Sequence, residues 1–134
     1  MKIVPRVRVE APVNPTESLA KVKLAILNIF PDVTFVSDDD IVEATCDRAD
    51  HLRDLIRQQK IRDSARAELR RGLEGTRIAF ALNKQAAYAG RVSFATGAAP
   101  LGDIEVELED DRPDAAIDFL AESTVERRPE KALE

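Results

Sequence analysis

A chain of 134 residues that is 44% hydrophobic can bury a core of its own, and its single cysteine, Cys46, excludes both an internal disulfide and a thiolate metal cluster within one chain. With no tryptophan, one tyrosine and five phenylalanines, that core has to be mainly aliphatic. The net charge of -5 disfavours a generic polyanion binder, yet residues 48–91 hold eleven Lys/Arg against five Asp/Glu and the remainder nine against twenty, so the chain is electrically divided.

The opening MKIVPRVRVE lacks the continuous apolar block of a signal peptide or a membrane span. Together with the lone cysteine, this predicts a cytoplasmic protein with no membrane partner. Ile3, Val7 and Val9 alternate with Arg6, Arg8 and Glu10, the period of a strand with one buried face, and Pro5 suits an edge or a late start. APVNPTES then carries helix-start chemistry: Asn14 or Thr16 as cap, Pro15 at a first helical position, Glu17 at the positive end of the dipole. Leu19, Val22, Ile26, Ile29 and Phe30 follow at helical spacing until Pro31.

VTFVS and IVEATC, residues 33–37 and 41–46, read as a hairpin around the Asp38, Asp39, Asp40 turn. Asp47 or Asp50 caps a long helical region in which Leu52, Leu55 and Ile56 form one apolar stripe, and Ile61, Ala65, Leu69 and Leu73 another. At about 100° per residue the two stripes lie on roughly opposite sides of a straight helix. The spacing therefore predicts a break between Gln58 and Asp63, with Asp63 as the second cap and Gly72 and Gly75 closing the unit.

Ile78, Phe80 and Leu82 alternate with small or charged residues, as do Tyr88, Gly90, Val92 and Phe94 after the tip NKQA, which predicts a second hairpin. In IEVELE, Ile104, Val106 and Leu108 oppose Glu105, Glu107 and Glu109. Pro113 opens a last helix with Ile117, Leu120 and Ala121. The expected fold is α+β: a mostly antiparallel sheet with helices on one face and the other face partly wet, in the order β-α-β-β-α-α-β-β-β-α. Residues 1–124 form one domain in this reading, and 125–134 a charged tail.

The segments VEAPVNPTES, ILNIFPD, RQQKIRDSAR, LNKQAAYAGRVSF and PLGDIEVEL, in that order between about Ile3 and Thr124, resemble an archaeal family described as predicted RNA-binding. Members of that family are similar in fold to ribosomal protein L5. The resemblance implies an L5-like architecture and an RNA partner, and it implies no catalytic residue.

Within the basic stretch, Arg62, Arg66 and Arg70 recur every four residues, and Arg71 adds to the neighbouring side. Guanidinium groups in such a ladder suit phosphate oxygens, although the same spacing also suits a solvated flank paired to Asp63, Glu68 and Glu74. Asn83, Lys84 and Gln85 at a hairpin tip, with Arg91 on the returning strand, would offer donors to phosphates or hydroxyls; the alternative is a wide turn whose amides satisfy the backbone. Too few aromatics are present for a sheet that reads single-stranded RNA, so contact falls on the backbone of structured RNA. The competing reading is a protein-interaction module or homodimer in which the basic segment meets the IEVELE face of a second copy.

Asp38 to Asp40 follow one another too closely to converge on a cation, and His51 has no second histidine. GxxxxGK[ST], GxGxxG and HExxH are absent. No cofactor, metal site or catalytic residue is expected, and the protein is read as a non-enzyme.

Overall fold

The computed structural model describes residues 6–123, apart from residue 98. Along the chain run β1 (Arg6–Pro12), α1 (Leu19–Ile29), β2 (Thr34–Asp38), β3 (Ile41–Cys46), α2 (Asp50–Gln58), α3 (Arg62–Arg71), β4 (Leu73–Glu74), β5 (Arg77–Leu82), α4 (Lys84–Tyr88), β6 (Ile104–Glu109) and α5 (Pro113–Leu120). The strands form one antiparallel sheet in the order β2-β3-β1-β6-β5-β4.

Period-two patterning decides which face is covered. Val9 lies opposite Ala44 and Val106, and Val106 opposite Phe80, a row that is buried throughout. One residue along, Glu10 lies opposite Glu43 and Glu105 on the open face. The buried rows join Val22 and Ile26 of α1, Leu52 and Ile56 of α2, Leu69 of α3 and Ile117 of α5 in one apolar cluster. Each of these side chains contributes on the order of 1.5–3 kcal/mol by leaving water. The sequence therefore folds as expected, into an α+β layer with helices on one face and a wet sheet face opposite. The parts of the expectation that fall on residues 1–5 and 124–134, the start of the first strand and the tail, lie outside the described residues.

The predicted break is present. α2 ends at Gln58, Lys60 adopts a left-handed φ of 58°, and α3 starts at Arg62, so that Leu52 and Leu69 both face the core. Gly72 caps α3 where a Cβ would lie 1.8 Å from the Ala79 carbonyl oxygen, and only glycine lets the chain turn there into β4 alongside β5.

Four local expectations fail. The cap of α1 is Ser18, whose side chain accepts from the Lys21 N–H, because Asn14 and Glu17 bond to each other instead. Ala49 and Ile61 stand at the N-caps of α2 and α3 without side-chain cap bonds, leaving Asp50 and Asp63 in the first turns. Leu19, expected on the buried stripe, is exposed.

The fourth concerns the predicted second hairpin. NKQ is no tip: the Asn83 side chain accepts from the Ala86 N–H at 2.8 Å and starts α4, and alanines at 86 and 87 favour helix over strand. The returning segment meets β5 in only one bridge, Leu82 to Phe94. β5 pairs instead with β6 and with β4, the latter through the turn at Gly75, whose φ is 67°.

Candidate nucleic-acid interface

α3 and α5 lie against each other with their charges in register. Arg62 pairs with Glu122 at 3.1 Å, Arg66 with Asp118 at 2.7 Å and Arg70 with Asp114 at 3.6 Å. As one series climbs by four residues the other descends by four, the pattern of two antiparallel helices zipped along one seam. Arg66 also donates to the Ala121 carbonyl oxygen at 3.0 Å, satisfying the C-terminal end of α5. Arg71 pairs within its own helix with Glu68 at 2.6 Å.

The ladder expected to face a polyanion is thus held by carboxylates of the same chain. Its partners were visible in the sequence, since Asp114, Asp118 and Glu122 share the four-residue spacing. Acids within the arginine helix take only Arg71, through Glu68, whereas the series that matches the other three lies some fifty residues on.

Lys84 is the reverse of an exposed fingertip. It is 9% exposed, and its Nζ donates to Glu17 at 2.9 and 3.2 Å, to the Pro12 carbonyl at 2.7 Å and to the Leu101 carbonyl at 2.9 Å. The Asn14 amide adds bonds to Glu17 and to the Leu101 carbonyl, both at 2.9 Å. Three segments that carried the family resemblance, around Pro12, Lys84 and Leu101, therefore converge on one ammonium group. Burial pushes the Glu17 carboxyl up, but hydrogen bonds from the Asn14 N–H, Lys84 and the Asn14 amide outweigh it and hold the group below the usual carboxylate range.

Asn83 is spent as a cap, whereas Gln85 and Arg91 remain exposed. Next to Arg91, the Val92 backbone exchanges two hydrogen bonds with the Gln59 amide, at 2.8 and 2.9 Å. That exchange puts Arg91 and Lys60 on the two sides of one seam. Neither side chain has a hydrogen-bond or ion-pair partner among the described residues. Lys60 also lines a concave corner of about 710 Å³ at the α2–α3 turn with Arg57, Ile61, Arg62, Asp63 and Ser64. There Arg57 and Arg62 share one carboxylate, Glu122, at 3.4 and 3.1 Å, so the guanidinium charge is only half compensated by it.

The open sheet face has the opposite character. Its cavity of about 560 Å³ is lined by Glu10, Glu43, Glu105 and Glu107 with Arg8 and small residues such as Ala81. Arg8 and Arg77 on that face are both bound to Glu107, at 3.0 and 3.4 Å. Cys46 is half-buried, and burial raises its thiol pKa, leaving it a poor nucleophile. Among the described residues no helix is long and apolar enough to cross a membrane.

Comparison with known proteins agrees with this architecture. A protein of Methanothermobacter thermautotrophicus, named UPF0201 protein, is 40% identical over 119 residues, covering 87% of this chain and 90% of the relative. The crystal structure of a UPF0201 protein from Methanococcus jannaschii superposes with a TM-score of 0.80 at 36% identity, covering 89% of this chain and 94% of that one. A second UPF0201 crystal structure gives 0.83 at 33% identity over the same shares. A family model described as RNA binding matches residues 6–109, so this chain belongs to that family, and the relatives named above are archaeal.

Proposed function

We propose that this protein binds structured RNA through backbone phosphates, from the helical side and at the corner where α2 turns into α3. The observation that carries the reading is the seam in which Lys60 and Arg91 stand without carboxylate partners among the described residues, beside Arg57 and Arg62 sharing Glu122. Cations without an ion-pair partner keep more of their field for phosphate than Arg66, Arg70 and Arg71, which face carboxylates of the fold, and Asp63 is the acid that lines the same corner. Of the residues first expected to touch RNA, Arg62, Gln85 and Arg91 remain in this reading. The glutamate row on the open sheet face repels phosphate and turns the RNA towards the helices.

Filter binding of a structured RNA at two salt concentrations is the test. Lys60→Ala and Arg91→Ala each weaken binding uniformly across RNA sequences and each lower the slope of log affinity against log salt by about 1. Absence of binding at low salt ends the proposal.

A further inference from the structure

A cleft of about 320 Å³ opens between the start of α1 and α4, floored by Val22 and Ala25 and rimmed by Ser18, Lys21, Gln85 and Tyr88. Its far wall is unusually well fixed for so short a helix. Lys84 ties the start of α4 to Glu17, and the Asn28 amide donates to the Ala87 and Tyr88 carbonyl oxygens, both at 3.0 Å. Yet Tyr88 is 45% exposed, and the Lys21 ammonium lies over its ring, 5.8 Å from the centroid.

An aromatic ring with a displaceable ammonium over one face, a hydroxyl and an exposed amide on the rim make a complementary set for one chemical class. We propose that this cleft takes a single unpaired nucleotide of a structured RNA, with the base stacked on Tyr88, Gln85 at the base edge and Lys21 on the phosphate. The volume lies at the lower end of small-molecule pockets, which fits one nucleotide rather than an oligomer. Sequence-specific RNA recognition rests on unstacked bases splayed onto such rings. Position supports the same occupant: Arg91 follows Tyr88 by three residues and leads, through the Val92–Gln59 hydrogen bonds, to Lys60. A backbone running along that seam would deliver a bulged base to the cleft.

The inference rests on the RNA reading, and its test separates the two. Tyr88 is the only tyrosine and there is no tryptophan, so intrinsic fluorescence reports on this ring alone. Two hairpin RNAs, identical except for a one-nucleotide bulge, are titrated into wild type, Tyr88→Ala and Tyr88→Phe. Expected is about tenfold tighter binding of the bulged hairpin by wild type, with tyrosine quenching. Tyr88→Phe keeps the preference, and Tyr88→Ala loses it while holding the closed hairpin as before. Equal binding of both hairpins by wild type, without quenching, overturns the cleft assignment and leaves the phosphate reading standing. Failure of both hairpins to bind at low salt removes both.

Discussion

Two groups of cations from the same basic stretch end in opposite surroundings. Arg62, Arg66 and Arg70 lie along a helix seam with side chains 33%, 22% and 48% exposed, each opposite a carboxylate that water also reaches. Lys84 sits with its side chain 10% exposed against a Glu17 that is 15% exposed, and its ammonium is surrounded by oxygen atoms. The first group is held in high dielectric, where an ion pair contributes little; the second was taken out of water, so every one of its bonds is needed to offset desolvation. Net local charge, which both groups share, says nothing about this difference. What decides it is where the compensating acid lies and whether solvent can take its place.

Removing Lys84 breaks that contrast most severely. Lys84→Ala strands the Glu17 carboxylate and the Pro12 and Leu101 carbonyls, and the expected cost is about 3–5 kcal/mol, the range for a buried charge that loses its partner. For a domain of this size, urea denaturation then shifts clearly and the melting midpoint falls by on the order of 10 °C. A loss under about 1 kcal/mol would show that the cluster is open to water in solution.

The same cluster sets a pH dependence with a definite sign. Burial opposes ionisation of Glu17, the Asn14 and Lys84 bonds favour it more, and the folded pKa ends below the unfolded one. Its contribution is therefore complete above the unfolded carboxylate value, about 4.3, and fades as pH falls through the folded value. Stability measured in urea holds steady on this account down to about pH 5 and drops below about pH 4. In Glu17→Gln this part of the drop disappears, and an unchanged acid limb would assign it to other carboxylates.

Intermediate effects belong to Arg66, the least exposed of the three ladder arginines, which bonds both Asp118 and the Ala121 carbonyl. Arg66→Ala is expected to cost about 1–2 kcal/mol, because it unties the end of α5 as well as an ion pair. Asp118→Ala, which leaves the Ala121 bond in place, costs less. Equal effects of the two would mean that the carbonyl bond contributes nothing.

Much of this architecture was legible before any coordinates. β1, β5 and β6 follow the expected alternation, Pro113 opens α5, and the quarrel between the Leu52 and Leu69 stripes locates the α2–α3 break, because periodicity reports which face is buried. The candidate site was far less readable. Periodicity alone does not pair elements distant in sequence: the four-residue acid series of α5 is legible but its match to the arginines is not, and nothing local signals the burial of Lys84 against Glu17, 67 positions away. Asn83 misled for a related reason: an amide suits a turn tip and a helix cap alike, and the alanines behind it settled the matter. Tyr88 belongs to an alternating run that predicts a strand, yet it ends α4, and only that helix puts its ring on a cleft wall.

The weakest link in the ladder gives the sharpest measure of the contrast. Arg70 reaches Asp114 at 3.6 Å, with side chains 48% and 77% exposed, a separation and an exposure at which water competes on nearly equal terms. Side-chain entropy opposes holding the pair together, so a double-mutant cycle of Arg70→Ala and Asp114→Ala should give a coupling below about 0.5 kcal/mol. Raising salt to about 1 M shrinks the Debye length to roughly 3 Å and should erase what remains, whereas the Lys84–Glu17 coupling, shielded from ions by burial, should survive it. A coupling at Arg70 as large and as salt-resistant as the one at Lys84 would mean that the α3–α5 seam excludes water, and the distinction between surface pairing and buried pinning would fail.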